Sequence, residues 1–167
     1  MAVRATFEIA GQDQAALIQE IFNTSQDQPE LTPRSISVLR DLAQRQALAV
    51  VFVDQVLAGW AAVEPLARNL SEVGMVYVKP EFRGAAVFNE LMQVIAARPE
   101  RMLLATYDKS LIRYVVSAWQ AKQTNLFGAI VLSRGKFLTK RLNAASGKAI
   151  RNKLQKSKPL YAIVGER

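Results

Sequence analysis

Apolar residues recur along the chain with two periods, and each stretch keeps to one of them. Residues 3–9 (VRATFEI) alternate, the period-two signature of a half-buried strand. Gly11 and Gln12 interrupt that pattern. Ala15, Leu17, Ile18, Ile21 and Phe22 then fall on one helical face. Thr32 followed by Pro33 predicts a second helix start, with a hydroxyl cap and a proline whose missing N–H costs nothing there. Its face carries Ile36, Leu39, Leu42 and Ala43 and runs to about Gln46. Residues 47–65 hold two apolar runs on either side of Asp54-Gln55, which predicts a hairpin. The loop LARNL leads to a third strand over residues 72–78, ended by Pro80. A helix is expected over residues 86–97, with Val87, Leu91, Val94 and Ile95 inward, stopped at Arg98-Pro99. Residues 102–107 predict a short buried strand. Asp108 predicts the cap of a helix whose face carries Leu111, Tyr114, Val115, Ala118 and Trp119. Residues 126–133 (LFGAIVLS) are expected to be another strand. Residues 134–158 place Leu142, Ala145, Ala149, Ile150 and Leu154 at spacings that suit a partly amphipathic helix. Pro159 ends it before a last strand over residues 160–164.

That order describes an α/β (α+β) fold with a mixed, mostly antiparallel central sheet of about seven strands and helices on both faces. Three successive strands joined by short turns are antiparallel neighbours. The later strand–helix–strand unit needs a crossover, so part of the sheet is expected to be parallel. The length of 167 residues suits a single domain over residues 1–167, with residues 134–158 as an insertion between the last two strands.

Composition removes whole classes of chemistry. There is no cysteine and no histidine. Thiolate nucleophiles, a Ser-His-Asp triad and the usual zinc sites are excluded, and no metal site is expected. Acid–base work falls to Glu, Asp, Tyr, Lys, water or a substrate. No apolar run has the length of a membrane span, and residues 1–12 lack a signal-peptide core, which predicts a soluble, cytoplasmic protein.

The net charge of +8 is concentrated. Residues 1–133 hold 12 basic and 13 acidic side chains, whereas residues 134–158 hold nine basic ones and no acid. Such a run favours an anionic partner: nucleic acid, a phosphate-bearing ligand, an acidic protein or a membrane surface. Phe137 is its one aromatic residue, so base stacking on single strands is not indicated.

The candidate chemistry lies in VYVKPEFRGAAVFNE, residues 76–90, where a β-branched run meets a proline, an Arg-Gly pair and a helix start. The first N–H groups of such a helix have no internal partner and sit at the positive end of its dipole, a ready anion site. The longer stretch EVGMVYVKPEFRG, with Glu72, Val78, Pro80, Arg83 and Gly84 in register, resembles the central strand and loop of the GCN5-related N-acetyltransferases. VFVDQVLAGWAAVEP is similar to that family's preceding hairpin, and LIRYVVSAW looks like its tyrosine-bearing helix. The order of elements matches over roughly residues 3–133, and the specificity rests mainly on residues 72–91.

The resemblance implies acetyl-CoA, or another acyl-CoA, as cofactor. Its pyrophosphate is expected on Arg83, Gly84, Ala85, Ala86, Val87 and Phe88, and its pantetheine arm on the backbone of Val76 and Val78. Glu72 falls where many members keep a carboxylate that takes a proton from the amine. Tyr114 is the candidate acid for the departing thiolate, with Tyr107 as substitute. The family loop commonly has glycine where Ala86 stands and a small residue where Phe88 stands. Alanine keeps the amide donor but loses easy access to positive φ. The family's usual Gly-Phe after the tyrosine helix is absent, and Trp119 or Phe127 is expected to fill its space.

The implied activity is acyl-CoA-dependent N-acyl transfer, acetyl to an amine by direct attack. The amine belongs to a small molecule or a protein. The alternative is a member of this fold without catalysis, acting as a nucleic-acid or assembly-binding module through residues 134–158. Each residue also has a plainer reading: Arg83-Gly84 as a turn, Glu72 as a solvated carboxylate, Tyr114 as a core tyrosine, and Trp60 and Trp119 as core.

Overall fold

Strand β2 (Leu48–Val53) is nearly all apolar and is buried on both faces, which makes it the spine of the first half of the sheet. It pairs antiparallel with β1 (Val3–Thr6) and with β3 (Val56–Ala67). The Asp54-Gln55 turn between β2 and β3 has φ of 47° and 70°, the doubly left-handed geometry that fits a tight hairpin to strand twist. These features come from a computed structural model that describes residues 2–9, 13–28, 31, 34–106, 108–137 and 159–165. Seven strands hydrogen-bond in the order β1-β2-β3-β4-β5-β7-β6. The pairings β1–β2, β2–β3, β5–β7 and β6–β7 are antiparallel and β4–β5 is parallel, the mixed sheet expected.

The chain gathers into two compact units, Met1–Glu64 with Gly74–Arg98, and Pro65–Val73 with Pro99–Arg167. In the first, α1 (Asp13–Gln26) and α2 (Ile36–Gln44) bury Leu17, Ile18, Ile21, Leu39 and Leu42. These side chains pack on Leu48, Val50, Trp60 and Ala62 of the sheet. Each fully buried Leu or Ile contributes about 1.5–3 kcal/mol. The other side chains of β2, Ala49, Val51 and Val53, are also buried, and α3 (Ala85–Ala96) packs on β1 and β2. Helix α3 inserts Val87, Leu91, Met92 and Ile95. Val94, expected inward, is half-buried, and Met92 takes its place. Ser35 caps α2, its Oγ accepting from the Val38 N–H at 3.4 Å. The start expected at Thr32-Pro33 lies outside the described residues, as does the break at Gly11 and Gln12.

The second unit holds the start of β4 (Leu70–Val78), then β5 (Arg101–Thr106), α4 (Lys109–Ala118), β6 (Lys122–Thr124), α5 (Leu126–Leu132) and β7 (Leu160–Val164). Leu66, Leu70, Leu103, Ala129, Phe137, Tyr161 and Ile163 form its core. Asp108 caps α4 as expected, accepting from the N–H groups of Ser110 at 2.7 Å and Leu111 at 3.3 Å. The buried face of α4 is Ile112 and Val115, whereas Leu111 and Tyr114 are half-buried and Ala118 is exposed.

One element is corrected. The stretch expected as a strand over residues 126–133 forms helix α5 (Leu126–Leu132) instead. An apolar run of this length has no polar position to set a period, and its composition suits either state. The deciding residue is Asn125, whose Oδ1 accepts the Gly128 N–H at 2.8 Å and caps the helix. The sixth strand is therefore the short Lys122–Thr124. Beyond α5, Ser133 is fully buried. Its Oγ donates to the Ile130 carbonyl and accepts from the Phe137 N–H, both at 3.1 Å. Phe137 is fully buried edge-on to Tyr161, with ring centroids 5.6 Å apart. The amphipathic helix expected through residue 158 lies, from residue 138 onward, outside the described residues.

Candidate active site

Strand β4 carries the chemistry-bearing stretch, and its backbone is not regular. Its parallel register with β5 runs from Leu70↔Arg101 to Val73↔Leu104. Two residues later Met75 has φ of 53°, a left-handed conformation that costs a non-glycine residue about 1–2 kcal/mol. The kink falls on Met75 although Gly74 stands beside it. Val76 and Val78 follow it, half-buried, and alternate with buried Tyr77. Tyr77 stacks against Trp60 with centroids 4.8 Å apart, which makes Trp60 the core residue expected.

The neighbouring strand β3 is shaped to this segment. Its register with β2 slips between Val51 and Phe52, which pair with Gly59 and Leu57 and leave Ala58 as the extra residue of a bulge. The Ala58 carbonyl accepts from the Lys79 N–H at 2.8 Å. Beside it, a Cβ built on Gly59 would lie well inside 3.0 Å of the Tyr77 carbonyl oxygen and 3.1 Å from Val78 Cα. Glycine is required there by close backbone approach, not by a positive φ.

After Val78 the chain turns sharply. Lys79 forms an ion pair with Glu20 of α1, Nζ to Oε1 at 2.5 Å. Pro80 opens a single 3-10 turn, Pro80–Phe82, and the Arg83 N–H donates to the Pro80 carbonyl at 3.3 Å. The Arg83 side chain is exposed, with its Nε donating to the Val78 carbonyl at 3.4 Å. Gly84 caps α3 in extended backbone (φ −178°, ψ 160°), and no side chain accepts from the helix start. The Phe88 N–H reaches back to the Gly84 carbonyl at 3.3 Å. The amides of Ala85, Ala86 and Val87 are thus the first three of the helix, at the positive end of its dipole.

Ala86 settles in ordinary helical backbone. It is absent from the positive-φ residues, so this helix start does not call for glycine's extra freedom. Its side chain is exposed, Val87 is buried and Phe88 is half-buried. A Cβ built on Gly84 would meet no atom within 4 Å, so the space before the helix is open. An exposed arginine, three leading amides and open space fit a phosphate-bearing group.

In the second unit Glu72 sits half-buried on β4, in register with Leu103. Next to it the Ser71 Oγ donates to Glu100 Oε1 at 3.2 Å. Tyr114 is half-buried on α4, and its carbonyl accepts from the Ser117 Oγ at 3.1 Å. Tyr107 lies outside the described residues. Phe127 fills no interior space: it is 74% exposed, which corrects its expected packing role. Trp119 is half-buried at the end of α4, with its Nε1 enclosed and without a hydrogen-bond partner. Among the described residues, no cluster of acidic side chains could hold a metal ion.

No protein-family profile and no curated protein matches this chain. Solved structures do. An N-acetylglutamate synthase from Neisseria gonorrhoeae, complexed with coenzyme A and N-acetyl-glutamate, superposes with a TM-score of 0.61 at 12% identity. That match covers 98% of this chain but 35% of the synthase, so this chain spans about a third of its length. Rv2747 from Mycobacterium tuberculosis, in complex with CoA and NLQ, matches with a TM-score of 0.60 at 15% identity, over 98% of each chain. Ard1 from Thermoplasma volcanium matches with a TM-score of 0.59 at 11% identity, over 98% of this chain and 97% of its own. Structures described as acetyltransferases of the GNAT family, from Staphylococcus aureus and Xanthomonas campestris, are also similar. The fold is that of the GCN5-related N-acetyltransferases.

Proposed function

We propose that this chain is an acyl-CoA-dependent N-acyltransferase that moves an acetyl group to an amine. The observation that carries the reading is the turn from β4 into α3, where exposed Arg83 and the leading amides of a helix without a side-chain cap face open space. Structures of the same fold crystallised with CoA support it. The helical conformation of Ala86 supports a competent loop over a degenerate one.

Arg83 and the amides of Ala85, Ala86 and Val87 would hold the pyrophosphate through charge-assisted hydrogen bonds. Gly84 would keep the approach clear, and Phe88 would close the end of the loop. The backbone of Val76 and Val78 would pair with the pantetheine arm. Acyl-CoA supplies the activated acyl group as a thioester. The Glu72 carboxylate would accept the proton that the acceptor ammonium must lose before its nitrogen can attack. The Tyr114 hydroxyl would give a proton to the leaving sulfur. Backbone N–H groups of β4 would stabilise the carbonyl oxygen as charge develops on it.

Titration calorimetry with acetyl-CoA tests the reading. The wild-type chain is expected to bind, and Arg83→Ala to weaken binding by about tenfold, as expected for one charge-assisted contact. Absence of binding at millimolar acetyl-CoA would sink it.

A further inference from the structure

Helix α5 has an unusual face for the surface of a protein. Its seven residues, LFGAIVL, include no polar side chain. At 100° per residue, Leu126, Ile130, Phe127 and Val131 fall on one continuous arc. Ala129 and Leu132 lie outside that arc and pack on the core of their unit. Leu126 is 46% exposed, Phe127 74% and Val131 58%, and Ile130 is half-buried. A helix that is apolar all round normally has a partner on each face.

Charge identifies the partner. From residue 109 to residue 165 the sequence holds 12 Lys/Arg and no Asp or Glu. Of these, Lys109, Arg113, Lys122, Arg134 and Lys136 are among the described residues, and all are exposed. Arg134 and Lys136 follow directly on α5. A second copy of the same chain would bring two strongly cationic stretches together, which repel. A nucleic acid would use the cations, but of the four residues on the arc only Phe127 has a π face on which a base can stack.

An anionic lipid surface uses both features. Apolar side chains enter the boundary between headgroups and acyl chains, and flanking cations pair with the headgroup charge. The strength of such binding grows with the apolar area buried and with the attraction of the cations to anionic lipid. We infer that α5, with Arg134 and Lys136 directly after it, is a docking surface for an anionic lipid membrane, holding the protein peripherally. No helix among the described residues is long and apolar enough to cross a bilayer.

Co-sedimentation of the full chain with vesicles tests this. The protein is expected to pellet with phosphatidylcholine vesicles containing phosphatidylglycerol, to stay in solution with phosphatidylcholine alone, and to be released by salt. Phe127→Ser with Val131→Ser is expected to weaken binding by at least about tenfold. Arg134→Gln and Lys136→Gln are expected to weaken it by about fivefold each. Circular dichroism should show every variant folded with an unchanged Tm. Failure to pellet with the anionic vesicles would overturn the inference. A lowered Tm for the Phe127/Val131 variant would also do so, because the face would then be covered within the chain. A loss of self-association in that variant would assign the face to a second copy. Retention of a duplex RNA in preference to vesicles, unaffected by the Phe127/Val131 variant, would assign the cations to nucleic acid.

Discussion

Replacing Gly59 by alanine is expected to destabilise the protein through a single methyl group. The added Cβ would press on the Tyr77 carbonyl oxygen, closer than real Cβ atoms approach, and would stand 3.1 Å from Val78 Cα and 3.3 Å from Val51 Cγ1. Two of those three atoms are backbone, so no rotamer change relieves the clash. The strand itself must move, and Lys79, which donates to Ala58 at 2.8 Å, must move with it. Overpacking of this kind costs about 1–3 kcal/mol. In a chain of this size each kcal/mol lowers Tm by about 2–4 °C. Taking about 2 kcal/mol, thermal unfolding followed by circular dichroism should show a drop of about 4–8 °C. Gly84→Ala is the control. Gly84 is in extended backbone that any residue adopts, and its added Cβ meets nothing within 4 Å, so Tm should stay within about 1 °C of wild type. If Gly59→Ala unfolds at the wild-type temperature, β3 and β4 are not locked together as described and the argument from close approach fails.

The same Gly84→Ala variant, neutral in stability, is expected to weaken acetyl-CoA binding by several-fold in calorimetry, because its methyl group enters the space before the leading amides of α3. Glu72→Gln is expected to lower kcat by about a hundredfold or more in a thiol-release assay, with acetyl-CoA affinity unchanged, as removal of a general base does. Ser133→Ala leaves the buried Phe137 N–H without its 3.1 Å acceptor, at a cost of about 1–3 kcal/mol. Its urea midpoint should fall accordingly, with an unchanged m-value. Asp108→Ala removes the acceptor for two α4 amides and should cost about 1 kcal/mol in the same experiment.

The hairpins and long helices were legible in the sequence because their signals are local. Asp54-Gln55 separated two apolar runs, and both residues adopt the positive φ a tight hairpin needs. Asp108 announced α4 through its own cap. Connection lengths also implied that part of the sheet is parallel, as β4 and β5 are, but not that β7 lies between β5 and β6. What failed locally was residues 126–133, where an unbroken apolar run hid the cap at Asn125. Of the candidate site, the turn from β4 into α3 was readable from Pro80 and Gly84, since each has a backbone reason to be there. The kink at Met75 was not readable, because nothing in a methionine beside a glycine says which of the two takes the left-handed conformation. The ion pair of Lys79 with Glu20 was equally hidden, joining residues 59 positions apart.

Strand β7 follows β6 in the chain but does not lie beyond it in the sheet. It lies between β5 and β6, matching Met102 with Val164 on one side and Lys122 with Ile163 on the other. During synthesis from the N-terminus, β5 and β6 therefore emerge with their shared neighbour still missing. Until residues 160–164 arrive, β5 presents an unpaired edge of apolar residues, a template for pairing with another chain. Non-local pairing of this kind slows folding. The vulnerable interval in folding thus falls between the making of β5 and the making of β7.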